Sequence, residues 1–273
     1  MPALHLPNGS RQSYLPALEL SSETPEANNP VDSSDGEDRD TEVVRLGELD
    51  VLGRMAWSSN ATLLVNASLE GIETRAIYKP IQGERGLWDF PDGTLAGREV
   101  SAFEVSEALG WGVIPYTVLR DGPYGPGMVQ RFVDHDPDDH FFTLRDRYAD
   151  EFRRFAVLDV LANNTDRKGG HCLEEKGTGR VFGIDHGLTF HQEWKLRTVI
   201  WDFAGEEIPP DLLLDVARVV DDLAKHGELF EKIRDLIAAL EIDAMRERAD
   251  EILEEGTFPI PDEDYHSVPW PLI

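Results

Sequence analysis

Two short polar runs carry the residues that could do chemistry. The first is Asn163-Asn164-Thr165-Asp166-Arg167-Lys168-Gly169-Gly170-His171, and the second is Gly183-Ile184-Asp185-His186-Gly187-Leu188. An apolar, helix-like stretch from Phe152 to Ala162 leads into the first, and a short apolar segment, Val181 to Ile184, delivers the second. Two carboxylates on loops that bracket a hairpin can point at one spot, one handling a proton and the other a metal. That layout suits movement of a phosphoryl group from a metal-bound nucleotide. Aspartates that merely cap turns would produce the same residues for local reasons, so the rest of the chain has to supply the other parts.

A kinase-type site needs a lysine on a strand, an acid on a following helix to hold it, and a turn over the phosphates. Lys79 ends the strand-like run Thr74 to Pro80, in a chain with twenty arginines and six lysines. A solubilising edge-strand lysine is the competing reading. Glu99 lies near the start of the helix-patterned segment Leu95 to Leu109, where the macrodipole alone would also favour an acid. Ser58-Ser59-Asn60 precedes the strand that enters at Ala61, where small residues with free N–H groups can cradle phosphate. Gly127 to Val133 reads as an apolar strand at the junction of two lobes. Val129, Gln130 and Arg131 are its candidates to contact a nucleotide base, through side chains and the backbone edge.

The elements that must position these residues divide the chain. Residues 1–42, rich in Pro, Ser, Asn and acids, cannot offset their ordering entropy and read as a disordered acidic tail. Residues 43–133 alternate strand patterns around one helix, with a hairpin turn at Ser68 to Gly71. Residues 134–256 are helical, with helices expected at Asp146 to Asn163, Pro210 to Lys225, Leu229 to Leu240 and Ile242 to Glu254. Residues 257–273 carry four prolines and read as extended. Strands first and helices second indicate an α+β, two-lobed fold.

The formal charge of −27 argues against a nucleic-acid backbone or an anionic bilayer as the main partner. A single cysteine, Cys172, excludes an internal disulfide and suits a reducing cytosol. No apolar run is long enough to span a membrane and no secretory signal pattern opens the chain, so a cytoplasmic location is expected.

Tyr78-Lys79-Pro80, Asn164-Thr165-Asp166-Arg167 and Ile184-Asp185-His186-Gly187-Leu188 together resemble the phosphatidylinositol 3-/4-kinase-like superfamily. The likeness is strongest to type II phosphatidylinositol 4-kinases, in a bacterial branch, and more distant to HipA-type bacterial protein kinases. It covers about residues 50 to 200 and implies a protein-kinase-like two-lobed fold that uses ATP with Mg²⁺ or Mn²⁺. By position, Lys79 would contact the α/β-phosphates and pair with Glu99, and Ser58 and Ser59 would fall in the phosphate loop. Asp166 would orient or deprotonate the acceptor hydroxyl, and Asp185 would bind metal in a DFG-like motif whose middle residue is His186. Lys168 resembles the catalytic-loop lysine that touches the transferred phosphate. His171 departs from the pattern, because an asparagine usually serves there as second metal ligand. An imidazole suits Mn²⁺ or Zn²⁺ better than Mg²⁺.

The expected activity is phosphate transfer from ATP to a hydroxyl on a protein or small molecule, since little basic surface is available to dock an anionic lipid. A pseudokinase or nucleotide-sensing module is the alternative, motivated by His171 and the acidic tail. A third reading takes His171, His186, His191 and Asp185 as transition-metal ligands of a hydrolase.

Overall fold

The computed structural model describes residues 33–55, 61–262 and 265–273. Helix α1 (Ser33–Leu46) is followed by β1 (Glu48–Arg54), β2 (Leu63–Leu69), β3 (Ile72–Pro80), α2 (Leu95–Ala108), β4 (Thr117–Gly122) and β5 (Gly125–Arg131). The five strands form one antiparallel sheet in the order β1-β2-β3-β5-β4. Glu70 and Gly71, both at positive φ, close the β2–β3 hairpin between the paired Leu69 and Ile72, as a two-residue loop requires.

Side chains alternate across the sheet, and the two faces have different partners. On one face Val65, Ala67, Ala76, Tyr78 and Val129 pack with Val43 and Val44 of α1. That burial explains why the acidic segment expected to be disordered up to residue 42 is helical from Ser33, because two buried valines anchor its last turn. Residues 1–32 lie outside the described residues. On the other face Met128 packs with Ala96 and Val100 of α2, and Lys79, paired with Met128 in register, shares that face. Gly127 is required by close approach, since a Cβ there would lie 2.7 Å from the Tyr78 ring.

The second half holds α3 (Phe141–Leu144), α4 (Ala149–Leu161), a two-stranded ribbon of β6 (Cys172–Glu174) and β7 (Val181–Gly183), α5 (Pro210–Ala224), α6 (Glu228–Ile233) and α7 (Ala239–Glu255). Phe152, Phe155, Leu158 and Leu161 of α4 enter one large core with Val216, Met245 and Ala249 of α5 and α7. Arg248 on α7 donates to Leu161 O through Nη2 (2.8 Å) and Nε (3.1 Å), satisfying a carbonyl at the end of α4. The helix expected from Leu229 to Leu240 stops at Ile233, and α7 restarts where Glu241 accepts the Ala238 N–H at 2.9 Å. Beyond α7 the chain has no helix or strand among its described residues, yet it is held. Ser267 O accepts from Thr198 N (3.1 Å) and Trp201 Nε1 (3.0 Å), and Leu272 O accepts from Gly169 N (2.7 Å).

Candidate active site

The first polar run leaves α4 through Asn163, which sits at φ 47°, a conformation that asparagine tolerates. Its side chain clasps a distant segment, donating to His191 O (2.8 Å) and Glu193 O (2.7 Å) and accepting from Lys195 N (2.9 Å). The second run leaves β7 through Asp185, also left-handed at φ 60°. Thr165 N donates to Leu188 O at 2.9 Å and Ile184 N to His171 O at 3.0 Å, so the two loops are stitched together by backbone.

Behind them lies a buried polar cluster. Arg167, fully buried, pairs with Asp159 of α4 through Nε and Nη2 (2.8–3.1 Å) and donates to Ile184 O at 3.3 Å. Its Nη2 lies 2.6 Å from His186 Nε2. Asp159 also accepts from Asn164 Nδ2 and Thr198 Oγ1, both at 3.0 Å. Burial, with Arg167 alongside, drives the His186 pKa far below its usual value, so the ring is neutral and can accept from the guanidinium.

In front, Lys79 Nζ lies 2.5 Å from Glu99 Oε1 and 2.7 Å from Asp185 Oδ1. Burial opposes the charge on Lys79, but Asp185 and Glu99 outweigh it and raise its pKa. Lys79 is likewise the main reason that Asp185 is held well below the usual carboxylate range. Glu99 Oε2 accepts the His186 N–H at 2.8 Å, so one carboxylate holds both the lysine and the Asp185 loop. Asp166 pairs with Lys168 at 2.9 Å, and burial raises its pKa despite that lysine. His171 Nε2 stands 3.6 Å from Asp185 Oδ2, and burial lowers its pKa to about 4. Lys79, Glu99, Asp166 and Asp185 line one cavity of about 500 Å³, walled by Pro80 and Gly187.

A family model described as phosphatidylinositol 3- and 4-kinase matches residues 119–244. Protein Rv2133c of Mycobacterium tuberculosis is 45% identical over 260 residues, covering 82% of this chain and 92% of that one. The chain belongs to the phosphatidylinositol 3-/4-kinase-like family. Phosphatidylinositol 4-kinase gamma 1 of Arabidopsis thaliana is 30% identical over 128 residues, 43% of this chain and 21% of the plant protein. Among solved structures, the Golgi casein kinase with Mn/ADP bound aligns at TM-score 0.52 and 12% identity, covering 81% of this chain and 75% of that one. Hydra Fam20 with sugar aligns at 0.50 and 11% identity, covering 82% and 90%. Those two likenesses show the kinase fold, which is α+β as its strand-then-helix order led one to expect.

Within this kinase-like fold, Ser58, Ser59 and Asn60 lie outside the described residues; to either side of them, Met55 N donates to Thr62 O at 2.9 Å. The interlobe strand needs correction. β5 is an interior strand paired with β3 and β4, so its backbone edge is not open to a base. Val129 points into the α1 face, Gln130 Nε2 bonds Thr117 Oγ1 at 2.8 Å, and Arg131 pairs with Glu175. Just beyond β5, the buried Val133, Leu173 and Phe182 form a small core with Ile184. Sequence reasoning missed Leu173 as a member of it because β6 has only three residues, too few to show alternation.

The hydrolase ligand set is not assembled. His186 is turned to Arg167, His191 packs edge-on against Phe90 at 5.5 Å, and no three potential ligands converge among the described residues. The Asp185 carboxylate, half exposed, with the His171 imidazole Nε2 3.6 Å from it, offers one oxygen and one nitrogen donor of the kinds that a divalent ion would take.

Proposed function

We propose that the chain is an ATP-dependent phosphotransferase of atypical-kinase type, acting on a hydroxyl of a protein or small molecule. The observation that carries this reading is Lys79 held between Glu99 and Asp185, across the cavity from Asp166. The solved neighbour's Mn/ADP supports nucleotide and divalent metal as the ligands.

In this reading Lys79 neutralises the inner phosphates while Glu99 fixes its position. Asp185 and His171 would hold Mg²⁺ or Mn²⁺, which supplies charge neutralisation at the transferred phosphate. Asp166 orients the acceptor hydroxyl and takes its proton; burial makes it a better base than an exposed aspartate. Lys168, bonded to Asp166, is placed to steady the phosphate oxygens.

Calorimetry with a non-hydrolysable ATP analogue and Mn²⁺ tests the reading. Binding should need the metal and vanish in Asp185→Ala; metal-independent or absent binding would remove it. A nucleotide-sensing module without transfer is the competing reading, favoured by the imidazole of His171 beside Asp185. ATP bound with metal but never cleaved, by water or any acceptor, would establish it.

A further inference from the structure

Helix α2 carries Glu99, yet its first turns are gripped by the C-terminal half. At Gly97 the backbones nearly touch, so that a Cβ would lie 2.6 Å from Leu236 O. The next residue, Arg98, is 1% exposed. Its Nη1 donates to Thr189 O at 2.6 Å, Nη2 pairs with Glu241 Oε1 at 2.6 Å, and Nε donates to Thr94 Oγ1 at 3.3 Å. The Phe90 ring lies 4.8 Å from the guanidinium carbon. The far ends of these contacts are themselves fixed. Glu241 caps the first turn of α7, and Thr189 Oγ1 donates to His186 O at 2.7 Å. Further along the same region, Lys232 reaches Glu104 at 3.1 Å and Trp111 Nε1 donates to Asp215 at 2.8 Å. One buried cation therefore ties α2 to the Asp185 loop and to α7.

We propose that Arg98 is a positioning residue for the phosphoryl-transfer site, setting α2 from the C-terminal half so that Glu99 stays engaged with Lys79 and the His186 N–H without nucleotide. Arg98 and Glu99 are neighbours on a rigid helix. Any rotation that withdraws Glu99 must pull a buried guanidinium off two acceptors and leave Glu241 without its cation. The site is thus assembled at rest, with α2 held from the C-terminal half. The consequence for nucleotide affinity rests on the kinase reading above; the coupling of Arg98 to the His186 amide does not.

The test uses the full chain with Arg98→Ala, Arg98→Lys and, independently, Gly97→Ala, whose new Cβ wedges α2 off Leu236. Hydrogen exchange at the His186 amide reports Glu99 engagement, exchange across the β2–β3 hairpin is the control, and calorimetry gives the affinity for the Mn²⁺-bound ATP analogue. Arg98→Ala and Gly97→Ala should each speed His186 exchange about tenfold and weaken analogue binding about tenfold, with the hairpin unchanged. Arg98→Lys, which keeps the charge but loses the fork, should fall between. Folded variants that keep both the exchange rate and the affinity within about twofold would overturn the proposal. If Arg98→Ala does not fold, Gly97→Ala and Glu241→Gln decide it by the same two readouts. A parent chain that binds no nucleotide defeats the kinase reading instead, and His186 exchange alone then decides whether Arg98 positions α2.

Discussion

The same two loops present two opposite chemistries on their two sides. Behind them, Asp159, Arg167 and His186 are each no more than 1% exposed and are bonded to one another and to Asn164, Thr198 and Ile184 O, apart from His186 Nδ1, which has no partner among the described residues. In front, the side chains of Asp166 and Lys168 are about a quarter exposed and that of Asp185 is half exposed, with contacts a ligand can replace. The rear set is a lock that cannot be rearranged cheaply, and the front set is a group of charges kept in reach of solvent. A phosphoryl-transfer site needs both, since oriented charges accelerate a reaction only when the frame that aims them does not yield.

Breaking the rear lock should have the largest effect. Arg167→Ala leaves Asp159 buried without its cation, which should cost about 3–5 kcal/mol; a denaturant titration showing less than about 1 kcal/mol would erase the distinction between the faces. On the front, Asp166→Asn should leave stability nearly unchanged but slow ATP turnover about a hundred- to ten-thousandfold, measured as phosphate release or autophosphorylation. A third expectation concerns acid. His171 titrates near 4 in the folded chain against 6.5 for the ordinary side chain, so only the unfolded chain takes up the proton between those values. Stability contributed by keeping His171 neutral is complete above about pH 6.5 and drains away as pH falls towards 4, by at most about 3 kcal/mol in metal-free buffer. His171→Asn should flatten that slope in a pH series of melting curves. The smallest effect is in metal choice: the same variant should shift the Mg²⁺-over-Mn²⁺ affinity ratio, with analogue bound, about fivefold towards Mg²⁺, as calorimetry with each ion can read.

How much of this could be seen in the sequence follows the same division. The front residues were legible because loops with unusual polar spacing announce themselves, and because Lys79 and Glu99 end a strand and begin a helix in the order a nucleotide site requires. The rear lock was not, although Asp159 gave a signal as a lone acid inside the apolar run Phe155 to Leu161. Arg98 gave none, since an arginine one turn into a helix is ordinarily solvated. The β5 assignment failed for a topological reason. Its apolar pattern fitted an interlobe strand, but pattern alone does not say that β4 and β3 occupy both its edges. The acidic lead-in misled because the two valines that anchor α1, Val43 and Val44, lie just past the acidic stretch whose composition was read.

The bond from Gly169 N to Leu272 O has a bearing on handling the protein. It ties Leu272 to the loop that carries Asp166, three residues before Gly169. A protease cut or an inserted tag between Phe258 and Leu272 would therefore disturb that loop, and assays of this protein are best run with the segment intact.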